Sequence, residues 1–448
     1  MASIIPLPPS EPQRQQSGRP SLGKRYSSVC VVGLGYIGLP TASILADCGY
    51  RVFGTDVRPH VVDTVNRGEI HIHEPHLDRL VRRVVEQGRL TAALEPHPAD
   101  VFILCVPTPF HEDRSPDVTY VEAAARSIRP YVRPGNLVIL ESTSPPRTTE
   151  EIVVKEAIPE SLAVGADVFV AYCPERVLPG RILIEAVEND RVVGGITAAC
   201  TDRALRFYQT FVTGAVVPTN AVTAEMTKLV ENSFRDVNIA FANELSMMAE
   251  RFGVDVWELI ELANRHPRVK ILSPGPGVGG HCISVDPWFL VHTAPDLTPL
   301  IRTAREVNDR KPQVVLAQIN RLAQERRAKT IGCLGLAYKA DVDDLRESPS
   351  LEIVRELRRQ GRYEILACEP YATPDKFSEF PVVGLDVALQ RSDVLVLLTD
   401  HSHFRAIRPE LLACKALLDT RGIWRPATDG SSAWQEATEP RPAQRRAA

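Results

Sequence analysis

The stretch SSVCVVGLGYIGLPTASILADCGYRVFGTDV, residues 27–57, decides the fold. A short β-branched apolar run at 29–32 meets glycines at 33, 35 and 38, and an apolar helical pattern continues through Leu45. A second strand-like run at 51–55 then closes on Asp56. Strand, G-x-G-x-x-G turn, helix, strand and an acidic residue about 20 positions on make up a dinucleotide-binding βαβ unit. Gly33, Gly35 and Gly38 permit the tight turn and let a pyrophosphate approach the amides of the helix N-terminus, where the dipole favours negative charge. Asp56 is suited to accept from ribose hydroxyls and to repel a 2′-phosphate, so NAD is the expected cofactor. A chance glycine turn is the competing reading, and the full strand, helix and carboxylate context weighs against it.

Further strand-like runs follow in DVFILCVPTP, NLVILEST and DVFVAYCPE. Helical patterns separate them, among them TYVEAAARSIRPYV, where Thr119 and Glu122 have the spacing of a capping box. Alternating strands and helices imply a parallel sheet covered on both faces. Such sheets bind ligands beyond the carboxyl ends of their strands, where Thr108, Thr143 and Glu175 fall. The bland alternative is that these residues only turn the chain.

From Thr223 a helical pattern of ~30 residues, more than twice the usual length, runs until Gly253, which is placed as a C-terminal cap. Asp255 and Glu258 restart a helix. Lys228, Asn232 and Arg235 share one face of the long helix, and Phe234, Val237, Phe241 and Leu245 share another. A helix functional on one side and apolar on the other suits a linker that also packs against a second subunit, so a homodimer is expected. A second βαβ pattern without the full glycine fingerprint begins at KTIGCLGLAYKADVDDLRESPSLEIVRELRRQGRYEILACEP, and SDVLVLLTD and KALLDT follow it. The expected architecture is α/β: two Rossmann-like doubly wound domains, 25–215 and 325–426, joined by the long central helix within a helical middle domain, 216–324. The segments 1–24 and 427–448 read as disordered tails. A substrate is expected to meet the cofactor in the cleft between the two Rossmann-like domains.

With 44% hydrophobic and 24% charged residues the 448-residue chain has the balance of a soluble globular protein. A formal charge of -4 argues against nucleic acid as a bulk partner. No apolar run approaches the ~18 residues of a membrane span. Nine cysteines, an odd number without a C-x-x-C pair, fit a reducing compartment. A cytoplasmic location is expected, since the N-terminus also lacks the apolar core of a signal peptide.

One cysteine stands apart. PGPGVGGHCISVDPW, residues 274–288, presents Cys282 after four glycines and four residues before Asp286. Glycines let a ligand approach the main chain, which suits a substrate site, although an incidental thiol on a surface turn fits this loop alone equally well. If Cys282 reaches the cofactor's cleft, its thiolate can add to an aldehyde; the thiohemiacetal is oxidised to a thioester, and water hydrolyses it. Cysteine is thus what oxidation of an alcohol to an acid requires, and no metal-ligand cluster is visible. Lys228 can stabilise an oxyanion and relay a proton, Asn232 can donate to that oxyanion, and Asp286 can orient Lys228 or a water. Glu175 is the candidate base for hydrolysis. His281, beside the thiol, is read as structural because neighbours in an extended loop point apart. Arg176, Arg181, Arg235, Arg265, Arg268, Lys339, Arg346 and Arg421 include enough cations to recognise a diphosphate, as in a nucleotide sugar.

These residues together resemble the UDP-glucose/GDP-mannose dehydrogenases, which oxidise a sugar's C6 hydroxyl to a carboxylate with two NAD. The carriers, in order, are GLGYIGLP, VPTPF, ESTSP, YCPERVLPG, TKLVENSFRDVNIAFANE, GVGGHCISVDP and GLAYKADVDDLRESPS, covering about 29 to 425. The resemblance implies that Cys282 is the nucleophile and Lys228 the acid/base residue, with Asn232 and Asp286 in support. It implies NAD contacts at Tyr36, Ile37, Asp56, Thr108, Thr143 and Arg346, with Thr143 also counted in the catalytic set. Nucleotide-sugar contacts are implied at Arg176, Val177, Lys228, Asn232, Arg235, His266, Arg268, Gly279, Tyr338, Lys339 and Arg421. Dimerisation through the central helix is implied as well. NRGEIHIHEP, NRHPRVKILSPGPGVGGHCISVDPWF and TDHSHF look most like members acting on UDP-N-acetyl-D-mannosamine, whose product is a precursor of surface polysaccharide. UDP-N-acetylglucosamine and UDP-glucose are the alternatives, and a non-catalytic nucleotide-sugar sensor is the rival class. His266 and Arg268 are expected to help read the 2-acetamido group; the competing reading is cations that complement a helix C-terminus. SPPRTTE after Thr143 and Tyr in AYK depart from the commoner family pattern.

Overall fold

The computed structural model describes residues 26–280, 282–372, 377, 379–413 and 415–425. The segments 1–24 and 427–448, read as tails, lie outside the described residues, as does His281. The chain forms two compact units, one from residues up to Thr108 with Asp117–Lys228, the other from Pro109–Pro116 with the chain from Leu229 on.

The first unit is built on eight strands: β1 (Ser28–Val32), β2 (Arg51–Thr55), β3 (Leu90–Ala93), β4 (Val101–Leu104), β5 (Leu137–Leu140), β6 (Phe169–Tyr172), β7 (Arg191–Gly195) and β8 (Val216–Asn220). They lie in the order β3-β2-β1-β4-β5-β6-β7-β8. Runs such as VFIL and LVIL are apolar throughout because the strands are covered on both faces. Val29, Val31, Ile103 and Ile139 turn to one core, and Cys30, Val32, Phe102 and Leu140 to the other. The sheet departs from the expected all-parallel arrangement at one joint, where β6 and β7 pair antiparallel. Strand order reverses between β1 and β4, which opens a crevice beyond their carboxyl ends.

A correction concerns Thr119 and Glu122. The helix Thr119–Ile128 has Val118 at its N-cap and no side-chain cap. Asp117, two residues upstream of Thr119, accepts instead from the Thr119 amide at 3.0 Å and its hydroxyl at 2.5 Å, so no capping box forms. The long helix spans Ala221–Phe252, 32 residues. Gly253 ends it in the left-handed region at φ +68°, and Asp255 caps the next helix, Val256–Asn264, through the Trp257 and Glu258 amides. No helix among the described residues is long and apolar enough to cross a membrane.

The second unit carries β9 (Thr330–Leu334), β10 (Glu364–Cys368), β11 (Val394–Leu397) and β12 (Ala416–Asp419), all parallel in the order β10-β9-β11-β12. Ile331, Cys333 and Val396 face one core, and Leu334, Leu395 and Leu397 the other. Gly335 follows β9 at φ +88°, as Gly33 follows β1 at φ +93°. The second unit thus shares the left-handed glycine after its first strand, but its helix, Pro349–Gln360, starts only after a longer loop.

Candidate functional site

In the first unit the glycine turn meets three separate demands. The Gly33 amide donates to Thr55 O at 2.7 Å, and a Cβ there would lie 2.4 Å from Cys105 O. A Cβ on Gly38 would lie 1.7 Å from Gly33 O, so only glycine lets the Gly38–Asp47 helix start against the turn. A Cβ on Gly35 would meet nothing within 4 Å, which leaves open the side from which a pyrophosphate would approach. Ile37 stands at the N-cap without a side-chain cap, and Tyr36 is exposed.

Asp56, 6% exposed, directly follows β2, and its carboxylate accepts from the Leu34 amide at 3.1 Å. Arg58, which sequence reading missed, donates its amide at 3.0 Å and its Nε and Nη2 at 2.9 and 3.1 Å. Burial pushes the Asp56 carboxyl up, but these bonds and the Arg58 charge outweigh it and hold the group below its usual range. The open face of Gly35 beside an ionised carboxylate fits a dinucleotide. The only sequence signal for Arg58 was its position two residues after Asp56.

At the strand ends, the Thr108 hydroxyl donates to Thr143 O at 2.5 Å and the Val106 amide to Ser142 Oγ at 2.9 Å. Glu175 is buried and ion-paired with Arg191 at 2.9 Å, while its other oxygen accepts from the Arg176 amide at 2.7 Å. Arg191 is itself 3% exposed, so the pair fixes the Glu175 carboxylate rigidly. Arg176 donates to Asp190 O at 3.1 Å, and Val177 packs against the core. Glu74, within NRGEIHIHEP, accepts from the Gly180 and Ile182 amides, both at 2.8 Å, and so ties down the loop that follows Glu175.

In the second unit, Cys282 is exposed and its carbonyl accepts from the Val285 and Asp286 amides at 3.1 and 2.8 Å. This turn leads into the helix Asp286–Thr293, so Asp286 is fixed at a helix start and is 3% exposed. Asn232 donates Nδ2 to Asp286 Oδ2 at 2.5 Å, which brings two of the predicted residues together. Lys228 stands one helical turn before Asn232. Arg235, His266 and Arg268 are exposed, the last two just beyond the Val256–Asn264 helix, with the Arg268 amide 3.3 Å from His266 Nδ1.

The glycines before Cys282 are crowded. A Cβ on Gly279 would lie 2.4 Å from Glu347 O, and one on Gly280 2.8 Å from the Tyr338 ring. Gly280 donates to Arg346 O at 3.3 Å, and a Cβ on Gly275 would lie 2.5 Å from Arg421 Nη1. Tyr338, Arg346 and Arg421 thus gather around the Cys282 loop. Arg421 is oriented by Asp400 at 3.0 Å and Arg346 by Asp344 at 2.6 Å, while Lys339 is exposed. Among the described residues no group of three or more His, Cys, Asp or Glu could hold a metal ion.

Three family descriptions match the chain in succession: the NAD binding domain of the UDP-glucose/GDP-mannose dehydrogenase family at residues 27–212, its central domain at 222–310 and its UDP binding domain at 332–426. An NDP-N-acetyl-D-galactosaminuronic acid dehydrogenase of Ralstonia solanacearum is 52% identical over 408 residues, covering 89% of this chain and 96% of the relative. A UDP-N-acetyl-D-mannosamine dehydrogenase of Escherichia coli (strain K12) is 50% identical over 418 residues, covering 89% and 100%. The solved UDP-D-ManNAc dehydrogenase of Pyrococcus horikoshii superposes with a TM-score of 0.81 at 40% identity, covering 89% of this chain and 96% of that one. The chain belongs to the UDP-glucose/GDP-mannose dehydrogenase family.

Proposed function

We propose that the protein oxidises the C6 hydroxyl of a UDP-N-acetylhexosamine, UDP-N-acetyl-D-mannosamine, to the uronate in two NAD-dependent steps through a thioester on Cys282. The observation that carries this reading is the 2.5 Å bond between Asn232 and Asp286, with Asp286 donating its amide to the carbonyl of an exposed Cys282. A thiol on a surface turn has no need of a buried carboxylate, held by an asparagine amide, at the start of the helix its turn leads into. NAD, held by the Gly33–Gly38 turn and Asp56, supplies the hydride acceptor for both oxidations.

In this reading Lys228 takes the C6 hydroxyl proton, and Cys282 adds to the aldehyde carbon as its S–H proton passes to a base. Asn232 donates to the developing oxyanion, and Asp286 keeps the Asn232 amide aimed. After the second oxidation a water attacks the thioester, the C–S bond breaks, and the thiol regains a proton. Glu175, fixed by Arg191, orients that water. Thr108 and Thr143 hold the strand ends against which the nicotinamide would lie, and Arg346 completes the cofactor contacts. Arg176, Val177, Arg235, Gly279, Tyr338, Lys339 and Arg421 contact the nucleotide sugar.

The acetamido group favours a dedicated site. A buried amide needs hydrogen-bond partners, so His266 and Arg268 reading it should discriminate against a 2-hydroxyl sugar by about 10²-fold or more. The test is a panel of UDP-N-acetylmannosamine, UDP-N-acetylgalactosamine, UDP-N-acetylglucosamine, UDP-glucose and GDP-mannose with NAD and with NADP, counting reduced cofactor. About two NADH per sugar are expected, with UDP-N-acetylmannosamine giving the highest kcat/KM and NAD preferred. One NADH or none would sink the thioester route. UDP-glucose as the best substrate would overturn the acetamido assignment, and equal use of NADP would mean that Arg58 leaves Asp56 to take a 2′-phosphate.

A cytoplasmic homodimer is part of the proposal. Phe234, Phe241, Met248 and Phe252 follow one another at spacings that form a single stripe on the long helix, 69%, 51%, 48% and 70% exposed. A second copy of this chain is the occupant that such an apolar stripe suits. The mass in solution at micromolar concentration should be that of two chains, and a monomer there would refute the dimer.

A further inference from the structure

The motif TDHSHF at 399–404 contributes His401, to which the mechanism above gives no role. His401 is fully buried, and its Nε2 lies 3.1 Å from Glu369 Oε2. Glu369 directly follows β10, as Asp56 follows β2. Its Oε2 accepts from the Leu336 and Ala337 amides at 2.7 and 2.9 Å, just as Asp56 accepts from Leu34. The second unit therefore repeats the acidic residue of the first. The difference is what meets it. Arg58, on Asp56, is half exposed, whereas the Glu369 carboxylate is enclosed by His401 and by the Tyr371 amide at 3.0 Å.

The hydrogen bonds define the imidazole. The Asp341 amide lies 2.9 Å from His401 Nδ1, and an amide can only donate, so Nδ1 carries a lone pair and Nε2–H donates to Glu369. One neutral ring thus joins a buried carboxylate to the backbone at Asp341. That residue sits at φ +60°, in the left-handed region that aspartate tolerates better than most residues other than glycine. Ser402 donates its amide to Asp341 Oδ1 at 2.8 Å, and the Thr399 hydroxyl donates to Ala337 O at 2.6 Å. The segment 337–341 is pinned at both ends by residues of TDHSHF. Between the pins stands Tyr338, whose Cβ and ring lie so close that a Cβ on Gly279 or Gly280 would come within 2.8 Å of them.

We propose that His401 is a positioning residue: its Nδ1, aimed by the ring's bond to Glu369, holds the Asp341 amide and so sets the 337–341 segment, and through Tyr338 it sets the height of the Gly279–Gly280 turn that presents Cys282. The proposal rests on the reading of Cys282 as the nucleophile. Its consequence is that His401 governs both UDP affinity and the presentation of the thiol without touching either.

Three variants of the full chain test it. His401→Asn keeps an acceptor where Nδ1 was and so retains the Asp341 bond; His401→Gln reaches Glu369 but offers Asp341 nothing; His401→Leu keeps bulk and loses both. The readouts are UDP affinity by calorimetry, the rate of iodoacetamide alkylation at Cys282 followed by peptide mass spectrometry, and KM and kcat on the best sugar of the panel. The Asn variant should stay within about threefold of wild type in UDP affinity and alkylation rate, whereas Gln and Leu should weaken UDP binding about tenfold or more and change the alkylation rate, with NAD affinity unmoved in all three. If the Leu variant does not fold, the comparison of Asn with Gln decides alone. Asn and Gln behaving alike, or Gln and Leu matching wild type, would overturn the proposal. Because UDP binding and alkylation need no turnover, a wild type that oxidises no sugar would refute the proposed function and leave this test standing.

Discussion

Replacing Cys282 with serine is expected to lower uronate formation by about 10³-fold or more while leaving UDP and NAD affinity within a few fold of wild type. The side chain is exposed, so the exchange of sulfur for oxygen creates no cavity, and the turn built on the Cys282 carbonyl does not involve the side chain. The Asn232–Asp286 bond is likewise untouched. What changes is nucleophilicity. A thiol is partly ionised near neutral pH and attacks an aldehyde readily, whereas a serine hydroxyl is hardly ionised at all. The first oxidation does not need the sulfur, so NADH yield should fall from about two per sugar to at most about one, with aldehyde as the product. Quantifying NADH and uronate in the same reaction checks this. A serine variant that makes uronate at the wild-type rate would remove Cys282 from the mechanism.

The parts of this site that could be read in the sequence are those whose demands are local. Gly38 answers to the carbonyl of Gly33, five residues back, and although Gly33 answers to Thr55 O and Cys105 O far along the chain, the three glycines fall at a fixed spacing that exposes the turn. Gly253 and Asp255 are likewise caps written next to the helices they bound. Thr119 and Glu122 failed because a capping pattern specifies a spacing, not a winner, and Asp117 competes for the same amide. The antiparallel joint at β7 stayed hidden because an apolar run such as RVVGG reads the same in either direction. Glu74 and Glu225 were invisible for another reason: the amides they hold lie 106 and 78 residues away, and only the folded chain brings them within reach. His401 could be quoted as part of a motif, yet its two partners, Glu369 and the Asp341 amide, lie 32 and 60 residues away. The residues expected to touch a ligand lie in motifs, whereas those that hold the motifs in place come to them only in three dimensions.

Glu225 leads to the other large effect. It is fully buried on the Ala221–Phe252 helix, three residues before Lys228, and it holds the loop that follows Thr143. Its Oε2 accepts from the Arg147 amide at 2.6 Å, and its Oε1 from the Thr149 amide at 2.7 Å and hydroxyl at 2.6 Å. This is how SPPRTTE, the departure after Thr143, is accommodated: Arg147 adopts φ +75° and its amide turns onto Glu225. Burial pushes the Glu225 carboxyl up to about 7 from 4.5; the three donors oppose that shift, but they are amides and a hydroxyl rather than cations and do not cancel it. The folded chain then holds a proton between those two values that the unfolded chain has lost. Stability from this group is therefore complete below pH 4.5 and disappears as pH rises through about 7. The size of the effect is about 3 kcal/mol, or roughly 6–12 °C in the melting transition of a unit this large. Glu225→Gln cannot ionise, so between pH 5 and pH 8 wild type should lose that much relative to the glutamine variant. Melting curves of the two proteins at both pH values measure the difference, and parallel pH dependence would mean that Glu225 stays ionised throughout. Glu225→Ala should be worse at every pH, because it strands three donors at about 1–3 kcal/mol each and frees the loop that follows Thr143.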